Sequence, residues 1–289
     1  VTDANGQTTR YSYDRTGTLT AESAPGESRS NSYNKIGLVT SVTTDEGVTE
    51  YQYDDRGYLL SVTEPGGSTV SYTYDDYGNR SSMTYPDGKT VTYSYDNMNR
   101  LTAVIGADGK KTSYAYDLLG QRISTDGEKE DTTYTYDAVG NVVSQITTGK
   151  YDVSLAYTYD LTGRMLSESR TENGTALESS YVYDALGQIT EFTRSDGISE
   201  SYTYDPVGNM LTKTAGSVKT RYTYNAANQL VSDGTFDYTY DKVGNLLKKQ
   251  SDGGSVSYAY NARNLLESWT DGEHSETYRY NASGLLSGT

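Results

Sequence analysis

The sequence predicts an all-β repeat protein made of antiparallel β-hairpins, and three observations carry that expectation. First, the pattern Tyr-x-Tyr-Asp-x-x-Gly-x-Leu returns fourteen times at intervals close to twenty residues, from Tyr11-Ser12-Tyr13-Asp14 to Tyr278-Arg279-Tyr280-Asn281. Self-similarity at a fixed period marks a repeat architecture. Second, the residues leading into each motif alternate with period two, which is strand patterning, and no stretch of useful length carries helical periodicity. Third, 27 of the 31 tyrosines belong to the motif, whereas the chain has two phenylalanines and one tryptophan. Tyrosine packs by its ring and hydrogen-bonds by its hydroxyl, which suits a partly wet sheet better than a thick, dry core.

The unit around Asp96 shows how each element arises. Lys89 to Tyr95 alternates Thr and Ser with Val and Tyr and reads as a strand. Asp96 then opens a turn, Leu101 to Ile105 is a second β-prone run, and Asp108-Gly109 closes it with a tight hairpin signal. Across the copies the first turn position is Asp in ten and Asn in four (Asn34, Asn225, Asn261, Asn281). Both side chains can accept from backbone amides two or three residues on. The last position is Gly in eleven copies and Asn in three (Asn99, Asn228, Asn264), the residues that best tolerate positive φ. Together these specify a type I turn closed by a left-handed residue and a bulge.

That turn sets the expected register. The tyrosine before the Asp should face the position two past the Gly, which is apolar in twelve copies, with Arg80 and Arg122 the exceptions. The other tyrosine should face a small residue such as Ala21, Ser41, Ser61, Ala103 or Ser144, giving one face a carpet of Tyr and Leu. The opposite face is mixed, with Thr20, Thr40 and Thr102 but also Leu60, Leu211 and Leu247. Two strands per repeat make roughly 28, far beyond the ~10 that a twisted open sheet carries before it bends, so a long curved or spiralling sheet is expected. Tyrosine spacings of 23 and 24 residues lengthen the hairpins near Gly149 and Gly174, and one of 16 shortens the hairpin near Gly234.

Charge and composition exclude several functions. The net charge of −15 provides no basic stripe for phosphates, so nucleic-acid binding is not expected. The absence of cysteine removes disulfides and thiolate chemistry. No apolar run approaches the ~20 residues of a membrane helix, so no membrane insertion by this segment is expected.

Units such as Tyr134-Thr135-Tyr136-Asp137-Ala138-Val139-Gly140-Asn141 and Tyr202-Thr203-Tyr204-Asp205-Pro206-Val207-Gly208-Asn209 resemble the YD-repeat, or Rhs-repeat, family over essentially the whole chain. Its members include bacterial Rhs and wall-associated proteins, insecticidal toxin-complex shell subunits and teneurins. The resemblance implies a β-shell, a strip spiralling into a hollow cocoon. In toxin members the cocoon encloses a C-terminal effector. In teneurins it belongs to a cell-adhesion ectodomain. Residues 1–289 are accordingly expected to be a single YD-repeat array, a fragment of a larger bacterial protein that is secreted or at the cell surface. The self-cleaving aspartate region of toxin members has no counterpart here, and Asp205-Pro206 sits in an ordinary turn.

No catalytic, cofactor-binding or metal-ligating set is assigned, and the chain is expected not to be an enzyme. His274, the only histidine, lies beside Glu273 and Glu276 in a glycine-led hairpin and has no partner for a triad. Asp54-Asp55 and Asp75-Asp76 suggest acid–base or calcium chemistry, but Asp54 and Asp75 occupy the repeated turn position, and the spacing lacks a calcium loop's oxygen set. Two readings follow: a structural shell-wall segment that encapsulates or presents a cargo, and an extracellular adhesion or carbohydrate-binding module whose exposed tyrosines stack on sugars or meet cell-surface proteins. Self-association through raw sheet edges is a third expectation. Asn173-Gly174-Thr175 and Asn281-Ala282-Ser283 are glycosylation sequons that would matter only in a eukaryotic host.

Overall fold

The computed structural model describes residues 1–281 and 284–288, and within them the fold is all-β. Among the described residues thirty strands are present, against 28 expected, because two strands are interrupted by single residues at Tyr222 and Tyr278. Twenty-one strands, from Arg10–Tyr13 to Val218–Arg221, form one antiparallel sheet, and seven from Thr223–Tyr224 to Ser275–Thr277 form a second. Pairing is between consecutive strands, as a meander of hairpins requires: Leu19–Ala24 pairs with Glu27–Tyr33, and Glu27–Tyr33 pairs with Val39–Thr44. The anomalous spacings act as expected. Val142–Gly149, Met165–Glu172 and Thr175–Tyr183 are long strands, while Leu230–Ser232 has three residues.

The chain divides into two compact units. One comprises Val1–Thr73, Thr84–Gly88 and Thr223–Thr289, the other Tyr74–Met83 and Lys89–Tyr222. In both, the tyrosine face is half-buried and the other face is more open, as the alternation along Glu27–Tyr33 illustrates. Core residues are few. Val42 and Thr49, a cross-strand pair, are 1% exposed in the first unit. Val91, Ala103, Ser179 and Thr212 are buried in the second. Total accessible surface is 18,108 Å², about half again the roughly 12,000 Å² expected at this mass for a protein folded around a core.

One expectation of register is corrected. The tyrosine before each Asp does face the position two past the Gly, as in Tyr13↔Leu19, Tyr95↔Leu101 and Tyr183↔Ile189. The register then slips by one at a β-bulge, so the residue between the tyrosines faces Ala21 or Ala103. The first tyrosine therefore does not lie over a small partner. Tyr51 faces Val62, Tyr93 faces Val104, Tyr181 faces Phe192 and Tyr258 faces Trp269. A bulge sets two residues against one, and the extra residue here is the one after the apolar position: Thr20, Leu60 or Thr102. The small residues Ala21, Ser41 and Ser61 are thus displaced from beneath the rings.

Candidate functional site

The repeated unit is itself the constellation of interest. At the Asp turn, Asp96 N–H donates to the Arg100 carbonyl at 3.0 Å and Asn99 N–H donates to the Asp96 carbonyl at 3.0 Å. Asp96 Oδ1 also accepts from the amides of Met98 at 2.9 Å and Arg100 at 3.0 Å. Asp14, Asp54, Asp75, Asp117, Asp137 and Asp160 repeat the arrangement. The closing residue has positive φ whether it is Gly120 (84°) or Asn99 (60°). Hydrogen bonds to a carboxylate favour its ionised form. The Asn79 side chain foremost, then backbone amides, holds Asp75 below the usual carboxylate range. For Asp96 the Arg100 amide is the largest influence.

The tyrosine hydroxyls run from repeat to repeat. Tyr33 donates to the Leu19 carbonyl at 2.6 Å, Tyr116 to Leu101 at 2.8 Å, Tyr183 to Met165 at 2.6 Å and Tyr204 to Ile189 at 2.7 Å. Tyr280 does the same to Leu266 at 2.7 Å near the far end. In each case the acceptor is the apolar residue at the preceding repeat's bulge, where the ladder is locally disrupted. This explains why the residue before the Asp is Tyr and not Phe. Burial raises the pKa of Tyr159 and Tyr204 above the usual phenol value.

A third link was missed in the sequence: the residue after the Gly is Asn, Gln or Arg in nine copies. Arg100 Nε bonds Asp96 Oδ2 at 2.7 Å, its Nη1 donates to the Asp117 carbonyl at 3.1 Å, and its guanidinium lies 4.8 Å from the Tyr116 ring centre. Arg164 does likewise with Asp160, Asp184 and Tyr183. Asn79 bonds Asp75 Oδ2 at 3.0 Å and Asn99 Oδ1 at 2.9 Å. Neighbouring Asp turns are thereby tied together from Asp75 through Asp96 to Asp117, and again from Asp160 to Asp184.

Within the first unit, Asp turns of the late repeats meet glycine hairpins of the early ones. Asn5 donates to Asp241 Oδ2 at 2.9 Å and accepts from the Lys242 amide at 3.0 Å. Arg263 pairs with Glu27, Asn281 donates to Glu64 at 3.2 Å, and Ser287 to Glu46 at 3.2 Å. A small cleft lies along this seam between Glu27, Asp45 and Glu46 on one side and Arg263, Tyr278 and Arg279 on the other.

The residues considered for chemistry lie apart. Asp54, Asp75 and Asp205 each serve their own turn. His274 is exposed and pairs with Asp271 at 3.3 Å, while Glu276 accepts from Tyr278 at 2.7 Å. Among the described residues no group of three or more acidic or histidine side chains could hold a metal ion, and no helix is long and apolar enough to cross a membrane. Asn173 sits at a hairpin tip with φ 49°, and Ala282 and Ser283 of the second sequon lie outside the described residues.

A β-strip whose repeats are joined by turn, hydroxyl and bulge is the architecture of a repeat-built wall. Sequence models of two families match it: the Teneurin YD-shell over residues 145–288, and the RHS Repeat over 1–29, 33–69, 57–90, 74–111 and 99–131. The chain belongs to the YD-repeat, or Rhs-repeat, family. No curated protein matches its sequence. In fold it is similar to the crystal structure of TcdB2-TccC3-Cdc42, at 16% identity and TM-score 0.61, covering 98% of this chain and 21% of that one. Likewise it resembles TcdB2-TccC3, at 17% identity and TM-score 0.60, covering 98% and 22%. The same holds for TcdB2-TccC3 without hypervariable C-terminal region, at 17% identity and TM-score 0.60, covering 98% and 21%. The chain thus spans about a fifth of the length of these structures.

Proposed function

We propose that this chain is a non-enzymatic wall segment of a β-shell, which in a longer secreted or surface-exposed bacterial protein encloses or presents a C-terminal effector. The observation that carries this reading is the near absence of a core in a sheet whose tyrosine face is half-buried from Tyr33 to Tyr280. Such a layer can separate an inside from an outside and offers little depth for a catalytic pocket. The fold likeness to TcdB2-TccC3 supports it. The carbohydrate-binding alternative fits less well, because hydroxyls such as those of Tyr33, Tyr183 and Tyr204 are already committed to neighbouring carbonyls.

Small-angle scattering with a simultaneous mass measurement tests the wall reading. A radius of gyration well above the ~19 Å of a compact 289-residue globule is expected. A value at ~19 Å for a monomer would overturn it. Enclosure is tested on a native chain carrying both array and effector: the effector should resist protease until the array is unfolded.

A further inference from the structure

The Asp-turn rim of the second unit carries an apolar residue at the tip of every turn. Tyr77, Met98, Leu119, Val139, Leu186 and Val207 stand two residues after their Asp, each at least 67% exposed. In the remaining turn Leu161, one residue after its Asp, is fully exposed. The turns adjoin: Asn79 reaches Asn99, Arg100 reaches Asp117 and Arg164 reaches Asp184. At two strands per repeat the tips follow one another about 10 Å apart. They form a row of exposed apolar side chains, one per turn, unlike the scattered exposure normal on a soluble surface.

The first unit contains the internal control. There the late tips Val243 and Arg263 are half-buried, whereas the early tip Ile36 is 68% exposed, and what the covered tips meet is a glycine hairpin of an early repeat: the Asn5 loop holds the Asp241 turn, and Glu27, just after Gly26, holds Arg263. Asp-turn rims in this fold are therefore surfaces that glycine hairpins can cover. Val139 and Val207, the same residue type at the same turn position as Val243, remain 84% and 70% exposed. Covering the row would remove on the order of 1,000 Å² from one partner, more than the roughly 800 Å² per side of a standard stable interface. The opposite rim of the same unit also carries apolar side chains beside its hairpins, among them Tyr151 and Val218, 50% and 66% exposed.

We infer that the Asp-turn rim of residues 75–208 is an assembly surface whose occupant is the glycine-hairpin rim of a second copy of this chain, docked head to tail. Such a contact does not close on itself, so the mass should keep rising with concentration. This surface is distinct from the backbone edges of the sheet, and its existence does not depend on the shell-wall role.

Light scattering behind a sizing column tests it between about 1 and 200 μM. The wild type is expected to exceed 31.7 kDa increasingly with concentration. L119D/L161D, with both changes on exposed tips, should remain at the monomer mass with an unchanged circular dichroism spectrum. A monomeric wild type throughout, or a double variant that still associates, overturns the inference. Direction is read by mixing affinity-tagged L119D/L161D with wild type. Head-to-tail docking predicts capture, because the variant's hairpin rim is intact. No capture would mean apolar row against apolar row, and would overturn the assigned occupant.

Discussion

At the residue scale, the turn chemistry was legible because it resides in side-chain identity. Only Asp or Asn opens the loop and only Gly or Asn closes it, so each position announces its backbone. Asn99 gives a direct test: with φ at 60° it stands where other repeats have glycine, and it accepts from Asn79. Asn99→Gly forfeits that exposed bond but relaxes the backbone, and should stay within about 1 kcal/mol of wild type. Asn99→Val forces a β-branched residue into the left-handed region and should cost roughly 2 kcal/mol. Urea midpoints of the two variants check the order. The bulge at the closing turn residue was legible, but the second one, at Thr20, Leu60 or Thr102, was not, because no residue type marks it. It follows from backbone geometry beyond the turn, and the expected pairing of Tyr51 with Ser61 failed by one position. A hint was present in Val62 and Val104, apolar residues five past the closing turn residue that the alternation assigned to the other face.

At the scale of the element, a repeat is completed by its neighbour. The hydroxyl of Tyr183 donates to the Met165 carbonyl at 2.6 Å while Arg164 lies 5.1 Å from the centre of its ring. Tyr183→Phe keeps the ring and removes the bond, and should lower stability by about 1 kcal/mol. Tyr77→Phe, on a tyrosine at an exposed turn tip, should change it by less than about 0.5 kcal/mol. Equal effects would mean that the hydroxyl ladder contributes nothing. The sequence marked tyrosine as amphipathic, but it could not say where the hydroxyl goes. The acceptor lies 14 to 18 residues upstream in Tyr33 and Tyr183 and is a backbone carbonyl exposed by the bulge. The turn-to-turn link fared likewise: Asn, Gln and Arg after the glycine are ordinary loop residues until Arg100 is seen bridging two turns.

For the whole molecule, charge linkage should bound stability on both sides of neutrality. On the acid side, Asp75 and Asp137 are held low, chiefly by Asn79 and Asn141, and Asp96 chiefly by the Arg100 amide. A folded pKa below the unfolded value of about 3.9 gives stability that is present above pH ~4 and lost as pH falls through the folded value. On the alkaline side, burial first and then the Glu200 hydrogen bond push Tyr202 up to about 12, and the hydrogen bond to Asp233 foremost does the same for Tyr238. Burial also raises Tyr157 and Tyr260. A raised tyrosine contributes stability below pH ~10 that is lost as pH rises towards the folded value. Thermal midpoints should thus fall below pH ~4 and above pH ~10. The β signal should be lost as tyrosinate absorbance goes to completion; a sheet still intact with every tyrosine ionised would refute the alkaline arm. The β-strip itself was legible from the period and the tyrosines, whereas its division into two units and the Asn5–Asp241 seam were not, because contacts spanning some 236 residues leave no trace in a local pattern. The hydroxyl ladder also has a direction. The motif's second tyrosine reaches back to the repeat before it, as Tyr33 does to Leu19 near one end and Tyr280 to Leu266 at the other. In a chain synthesised N-terminus first, the bonds that complete each row therefore wait for the row that follows, as in knitting.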